Sequence, residues 1–117
     1  MSRSWQRDGV GKWLAHHRGS GEVLGRGRLS YQDVDGARRL EIGWAVREAH
    51  LGNGYATEIG LAGLAYAREL GAAEVVSFTE VHNVRSRAVM ERLGFAYRHD
   101  FPHRGEPFAR YAVSLGS

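Results

Sequence analysis

The segment whose reading decides the fold is "EIGWAVREAHLGNGYATEIG", residues 41–60. Its opening alternates with period two. Leu40, Ile42, Trp44 and Val46 share one face and Glu41, Gly43 and Ala45 the other, as in a strand. From Tyr55 onward Ile59, Ala62, Tyr66 and Leu70 recur at helical spacing, with Gly71 as a stop. Between the two lies "HLGNGYATE", residues 50–58, with glycines at positions 52 and 54. Such a junction is either a tight turn or an anion site, where backbone N–H groups converge at the positive end of a helix. A Walker loop needs Lys and Ser/Thr after the last glycine, where Tyr55 and Ala56 stand. The dinucleotide fingerprint asks for a third small residue where Thr57 stands, although Glu80 lies near the place of its acidic residue.

Working outward, residues 12–17 ("KWLAHH") read as a strand, 19–22 as a turn, and 22–31 ("EVLGRGRLSY") as a hairpin partner loosened by Gly25 and Gly27. "QDVDGARR" reads as a polar loop leading to the strand at 40–46. After the first helix, "EVVSFTE" is a strand. Asn83 is placed to cap a second helix, along which Ser86, Val89, Met90 and Leu93 form one stripe that Gly94 ends. "FAYRHDF" and "FARYAVSL" are two more strands joined by "PHRGEP". The order is β-β-β-α-β-α-β-β, an α/β (α+β) sheet with two helices.

At 117 residues the chain is read as a single domain, 1–117, able to bury a core. The N-terminus has no signal-peptide core, and no apolar run approaches the roughly 20 residues that span a bilayer. A cytoplasmic protein with no membrane contact is expected. Without cysteine there is no disulfide framework, thiolate nucleophile or Cys-ligated metal. The six histidines show no metal-ligand spacing, so no metal is expected. The net charge of +3 is uneven: residues 1–39 hold eight Lys/Arg against four Asp/Glu, and residues 40–117 hold eight against nine. The basic excess therefore sits in the first third. With signs mixed this is a weak signal for nucleic acid, which is not the expected partner.

Three elements occur together in order. They are "GYATE" after the strand at 40–46, Asn83 with Ser86 after the next strand, and "VMERLGF" at 89–95. With them the chain resembles the GNAT N-acetyltransferase superfamily. The likeness is to the branch with ribosomal-protein N-terminal acetyltransferases and several aminoglycoside and polyamine acetyltransferases. It covers residues 40–95 closely and the flanking strands loosely.

The resemblance implies a GNAT-like, mainly antiparallel sheet with two helices, lacking the usual first strand and first two helices and so truncated at its N-terminal end. It implies acetyl-CoA as co-substrate and a primary amine as acceptor, a protein N-terminus or a small molecule, acetylated by direct attack in a ternary complex. The family's pyrophosphate loop maps onto Leu51, Gly52, Asn53, Gly54, Tyr55 and Ala56. Leu51 departs from its usual polar first residue, and Arg47 or Asn53 would supply polar contact. Backbone groups of Trp44, Ala45 and Val46 would pair with the pantetheine arm as a ligand pairs with a sheet edge. Glu41 corresponds to the carboxylate that takes the amine proton, directly or through water. Asn83 corresponds to the asparagine that contacts the pantetheine. Met90 stands where a tyrosine often serves as general acid, so Ser86, one turn nearer the helix start, is the expected donor to the leaving thiolate. His82, Glu80 and Tyr111 are read as structural or rim residues.

The short front end leaves the strand at 12–17 as an unprotected edge, with Trp13 and Leu14 exposed, and pairing there predicts a homodimer. Two other functions stay open: a non-catalytic acyl-CoA-binding module, and a basic interaction protein touching nucleic acid through the Arg-rich first third. The basic balance argues against a polycationic acceptor.

Overall fold

The computed structural model describes residues 3–7, 11–17, 19–47 and 54–116. Seven strands and two helices follow in the order β1 (Arg3–Arg7), β2 (Lys12–His17), β3 (Val23–Val34), β4 (Ala37–Val46), α1 (Tyr55–Glu69), β5 (Glu74–Glu80), α2 (Val84–Arg92), β6 (Ala96–His103) and β7 (Glu106–Ser114). They form one mixed sheet in the spatial order β1-β2-β3-β4-β5-β7-β6. Every pairing is antiparallel except β4 with β5. The α/β, mainly antiparallel architecture is as the sequence implies.

Three local readings are corrected. Residues 32–39 are not a loop, because β3 runs on to Val34 and β4 begins at Ala37. Asp35 (φ 52) and Gly36 (φ 82) make a two-residue turn of the kind whose twist matches a hairpin. Arg104 and Gly105 join β6 to β7 in the same way. The strand at 12–17 is not the sheet edge: β1 pairs along it from Arg3 opposite His17 to Arg7 opposite Trp13. Trp13 is buried rather than exposed, so residues 12–17 do not supply the edge expected to pair in a homodimer, and β1 and β6 are the outer strands. On α1, Ile59 is buried as expected, but the inward face is Ile59, Gly60, Gly63, Leu64 and Ala67, while Leu70 is exposed. The helix lies too close to the sheet for larger side chains. A Cβ on Gly63 would come within 2.6 Å of Ile42 and Trp13, and one on Gly60 within 2.4 Å of Leu93.

The sheet has a different core on each face. On one, α1 and α2 cover Trp13, Leu24, Leu29, Ile42, Val75 and Tyr111. On the other, Val34, Val76, Phe101 and Ala112 pack with Phe78 and Phe108. At about 25 cal/mol per Å² of apolar area, these two layers are the main stabilising term. Asn83 caps α2, its Oδ1 accepting from the Ser86 N–H at 3.1 Å, and Val89, Met90 and Leu93 are buried as the stripe predicts. No helix among the described residues is long and apolar enough to cross a membrane.

Candidate active site

The site begins with an interrupted ladder. β4 and β5 are parallel, yet one pair, Glu41 opposite Val76, is their whole register among the described residues. The Ser77 hydroxyl donates to the Ile42 carbonyl at 3.0 Å, closing the apex with a side chain where a backbone rung would stand. Past that point the strands part. β4 continues to Val46 bonded to β3, and β5 continues to Glu80 bonded to β7, so their facing edges line a fork.

A cavity of about 710 Å³ fills this fork and passes through the sheet. Residues 41–45 and 77–79 form its rims, Asn83, Ser86 and Met90 of α2 close it on one face, and Lys12, Arg26 and Arg28 stand on the other. A second cavity of about 420 Å³ adjoins it, sharing Arg28, Glu41 and Phe78 and adding Gln32, Asp33, His103, Arg104 and Phe108. Clefts at the C-terminal ends of parallel strands, with a few converging polar groups, are the usual place for small ligands.

Glu41 stands at the apex, 3% exposed. Arg28 donates from Nη1 to its Oε1 at 2.6 Å and reaches Oε2 from Nη2 at 3.5 Å. The same guanidinium reaches Ser30 Oγ at 3.2 Å. Burial pushes the Glu41 carboxyl above its ordinary value, opposed by the hydrogen bond and charge of Arg28 and then by the charge of His103. The net result is a buried carboxylate more basic than usual at a cavity wall, the condition a general base needs. Gly43 makes room for the pair, since a Cβ there would lie 2.8 Å from Arg28 Nη2.

The structure brings Glu41, Trp44, Ala45, Asn83 and Ser86 to one cavity. Asn83 Oδ1 is committed to the cap, a bond that does not use its amide N–H donors. Met90, 2% exposed, lies one turn from Ser86 on the same wall. Val46, Tyr55 and Ala56 are not on that wall and pack partly buried against the α1 core. Gly54 caps α1 with φ 79 and ψ 5 and makes no side-chain cap. Leu51, Gly52 and Asn53 lie outside the described residues. Tyr111 is structural, its hydroxyl receiving Arg87 Nε at 3.0 Å, and His82 stands 3.7 Å from Glu80 at the surface.

Sequence reasoning missed Arg28, Ser77 and Phe78. Arg28 was within reach. Had Asp35-Gly36 been read as a hairpin turn, Val34 would pair with Ala37, Ser30 with Glu41 and Arg28 with Gly43, placing the guanidinium beside the carboxylate.

Known proteins resemble this chain in sequence and fold. The profile of the acetyltransferase (GNAT) domain matches residues 1–96. An uncharacterized protein of Bacillus subtilis, YkkB, is 31% identical in an alignment 106 residues long that covers 88% of this chain and 60% of that protein. A GnaT-family structure from Bordetella pertussis superposes with a TM-score of 0.77 at 26% identity, over 88% of this chain and 64% of that one. The structure of yncA from Salmonella typhimurium, solved with its cofactor acetyl-CoA, has a TM-score of 0.78 at 22% identity, over 91% and 65%. The chain thus spans a little under two thirds of the length of each. With four fifths of its length matched by that one domain, the chain belongs to the GNAT acetyltransferase family.

Proposed function

We propose that the chain binds acetyl-CoA in the fork and transfers its acetyl group to a primary amine by direct attack. The observation that carries this reading is the fork itself, a gap one strand wide with a buried, basic Glu41 at its apex. That the yncA structure holds acetyl-CoA on the same fold is further support.

Acetyl-CoA supplies an activated thioester. This chain's residues do the rest. Backbone groups of Trp44 and Val46 lie on the side of β4 where the Ile42 carbonyl meets Ser77 and pair with an extended arm as a missing strand would, while Ala45, turned to β3 opposite Arg26, lines the cavity. The N-terminal turn of α1, with Gly54, Tyr55 and Ala56 and the preceding Leu51, Gly52 and Asn53, receives the pyrophosphate. Glu41 takes the proton of the attacking amine, and Arg28 fixes its orientation. Asn83 donates to the arm. Ser86 donates to the departing sulfur, in place of the hydroxyl that Met90 lacks. A homodimer in the cytoplasm belongs to the same reading, with a sheet edge, β1 or β6, as its contact.

Gly54→Val tests the binding mode. A Cβ at this position meets nothing within 4 Å among the described residues, and the left-handed backbone resists it at about 1–2 kcal/mol. Calorimetry should show coenzyme A affinity lost while the circular dichroism spectrum is kept. Unchanged affinity would sink this placement of the phosphates.

A further inference from the structure

Resting on that reading, we propose that the acceptor is a small primary amine that also carries an anionic group, a carboxylate or a phosphate-type oxyanion. The argument is the charge and placement of one cavity wall. Lys12 stands opposite Arg28 on β2 and β3, and Arg26 is two residues along β3, opposite Ala45. Strand alternation puts all three on the face of Glu41, away from α1. They line the cavity with Glu41 as the one carboxylate among its lining residues.

Only Arg28 is committed to that carboxylate. Lys12 and Arg26 have no ion-pair partner among the described residues and are exposed, so they cost little to keep charged in the empty protein. Asn83, Ser86 and Met90 enter from the opposite face, the side assigned to the pantetheine arm. A second substrate must then approach Glu41 from the basic face. A cationic acceptor would be repelled there, and a neutral one would leave two cations without a role. An amine tethered to an anion satisfies both ends: its nitrogen faces Glu41 and its charge faces Lys12 and Arg26. β2 lies two strand spacings from β4, roughly 10 Å, which long basic side chains can shorten. The transfer is unchanged. The N–C bond forms as the C–S bond breaks, the amine proton passes to Glu41 and from there to water, and coenzyme A leaves as its thiolate, hydrogen-bonded by Ser86, and takes a proton from water.

The experiment compares matched acceptors that differ in one group: 4-aminobutyrate, butylamine and 1,4-diaminobutane, and glycine against glycinamide. Acetyl-CoA binding is measured separately by calorimetry. The acids should exceed their neutral partners in kcat/KM by about tenfold or more, as one charged hydrogen bond implies. Arg26→Ala should collapse that ratio, and Arg26→Glu should invert it toward the diamine. Equal or better use of the neutral or dicationic amines overturns the proposal, as does acetyl-CoA binding with no acceptor used. So does a fall in acetyl-CoA affinity in Arg26→Ala matching the loss of rate, which would give Arg26 to the co-substrate. Salt-dependent oligonucleotide binding that needs Arg26, without acceptor discrimination, overturns it in favour of a nucleic-acid surface. Failure of acetyl-CoA to bind at all defeats the acetyltransferase reading instead, and the proposal with it.

Discussion

At the scale of single residues, Glu41 and Arg28 contribute opposing effects. Arg28 is 43% exposed, so water screens its pull, while Glu41 is almost wholly enclosed and desolvation prevails. A carboxyl whose folded pKa is raised contributes stability that is complete below its unfolded value, about 4.3, and lost as pH rises through the folded value. The charged form is therefore a stability cost at neutral pH, retained at a reactive position. Glu41→Gln keeps the shape and removes the titration. Its stability relative to the parent should rise between pH 4 and pH 7 in urea titrations, and a flat difference would contradict the sign. In the same variant turnover should fall by roughly 10²–10⁴, with the acidic limb of the pH–rate profile gone and acetyl-CoA affinity little changed. Ser86→Ala should lower kcat by about tenfold, the worth of one hydrogen bond to a developing charge, and leave KM for acetyl-CoA near its parent value. A parental kcat would leave the thiolate to depart unaided.

At the scale of elements, what was legible and what was not separate by physical cause. Both helices, the strand at β5 and the Asn83 cap were readable because their signals are local: period, cap and stop. The inward face of α1 was not. Gly60 and Gly63 carry no hydrophobic signal, and only the closeness of Leu93, Ile42 and Trp13 makes them core positions. Gly63→Ala, although it raises helix propensity, should therefore lower stability by about 1–3 kcal/mol through overpacking. Chemical denaturation checks this, and a gain in stability would show that α1 can lift off the sheet. The Arg28–Glu41 pair was hidden for another reason. Cross-strand neighbours follow from register, register follows from the turn, and the two-residue turn at Asp35-Gly36 is concealed by the polar residues on either side of it. Trp44, Ala45, Asn83 and Ser86 were placed by family likeness, and the fold sets them around one cavity.

At the scale of the whole molecule, the sheet is two blocks, β1 to β4 and β5 with β7 and β6, joined at the apex of the fork. The tip of the β3–β4 hairpin reaches across. Asp35 pairs with His99 of β6 and lies 3.3 Å from the buried Arg110 Nε of β7, outside hydrogen-bonding geometry, while Arg39 stands 3.9 Å from Glu74. His99 foremost holds the Asp35 carboxyl below its ordinary value, so this tether is present above about pH 3.9 and lost as pH falls through the folded value. In the proposed homodimer β1 would offer five residues of sheet edge as a contact. Sedimentation at micromolar concentration should give twice the 13.0 kDa chain mass. A monomer mass at every concentration would remove it.

The fork also has a mechanical meaning. A sheet normally resists shear because every strand is stitched to the next along its length, and here one seam has a single backbone pair, the Ser77 hydroxyl beside it, and side-chain tethers at its far end. A pantetheine arm laid in the gap would act as a splint, carrying load along strand edges that are otherwise held through the cores on the two faces. The protein would then be stiffest when charged with its co-substrate and loosest after the spent thiol departs, so that turnover and rigidity rise and fall together.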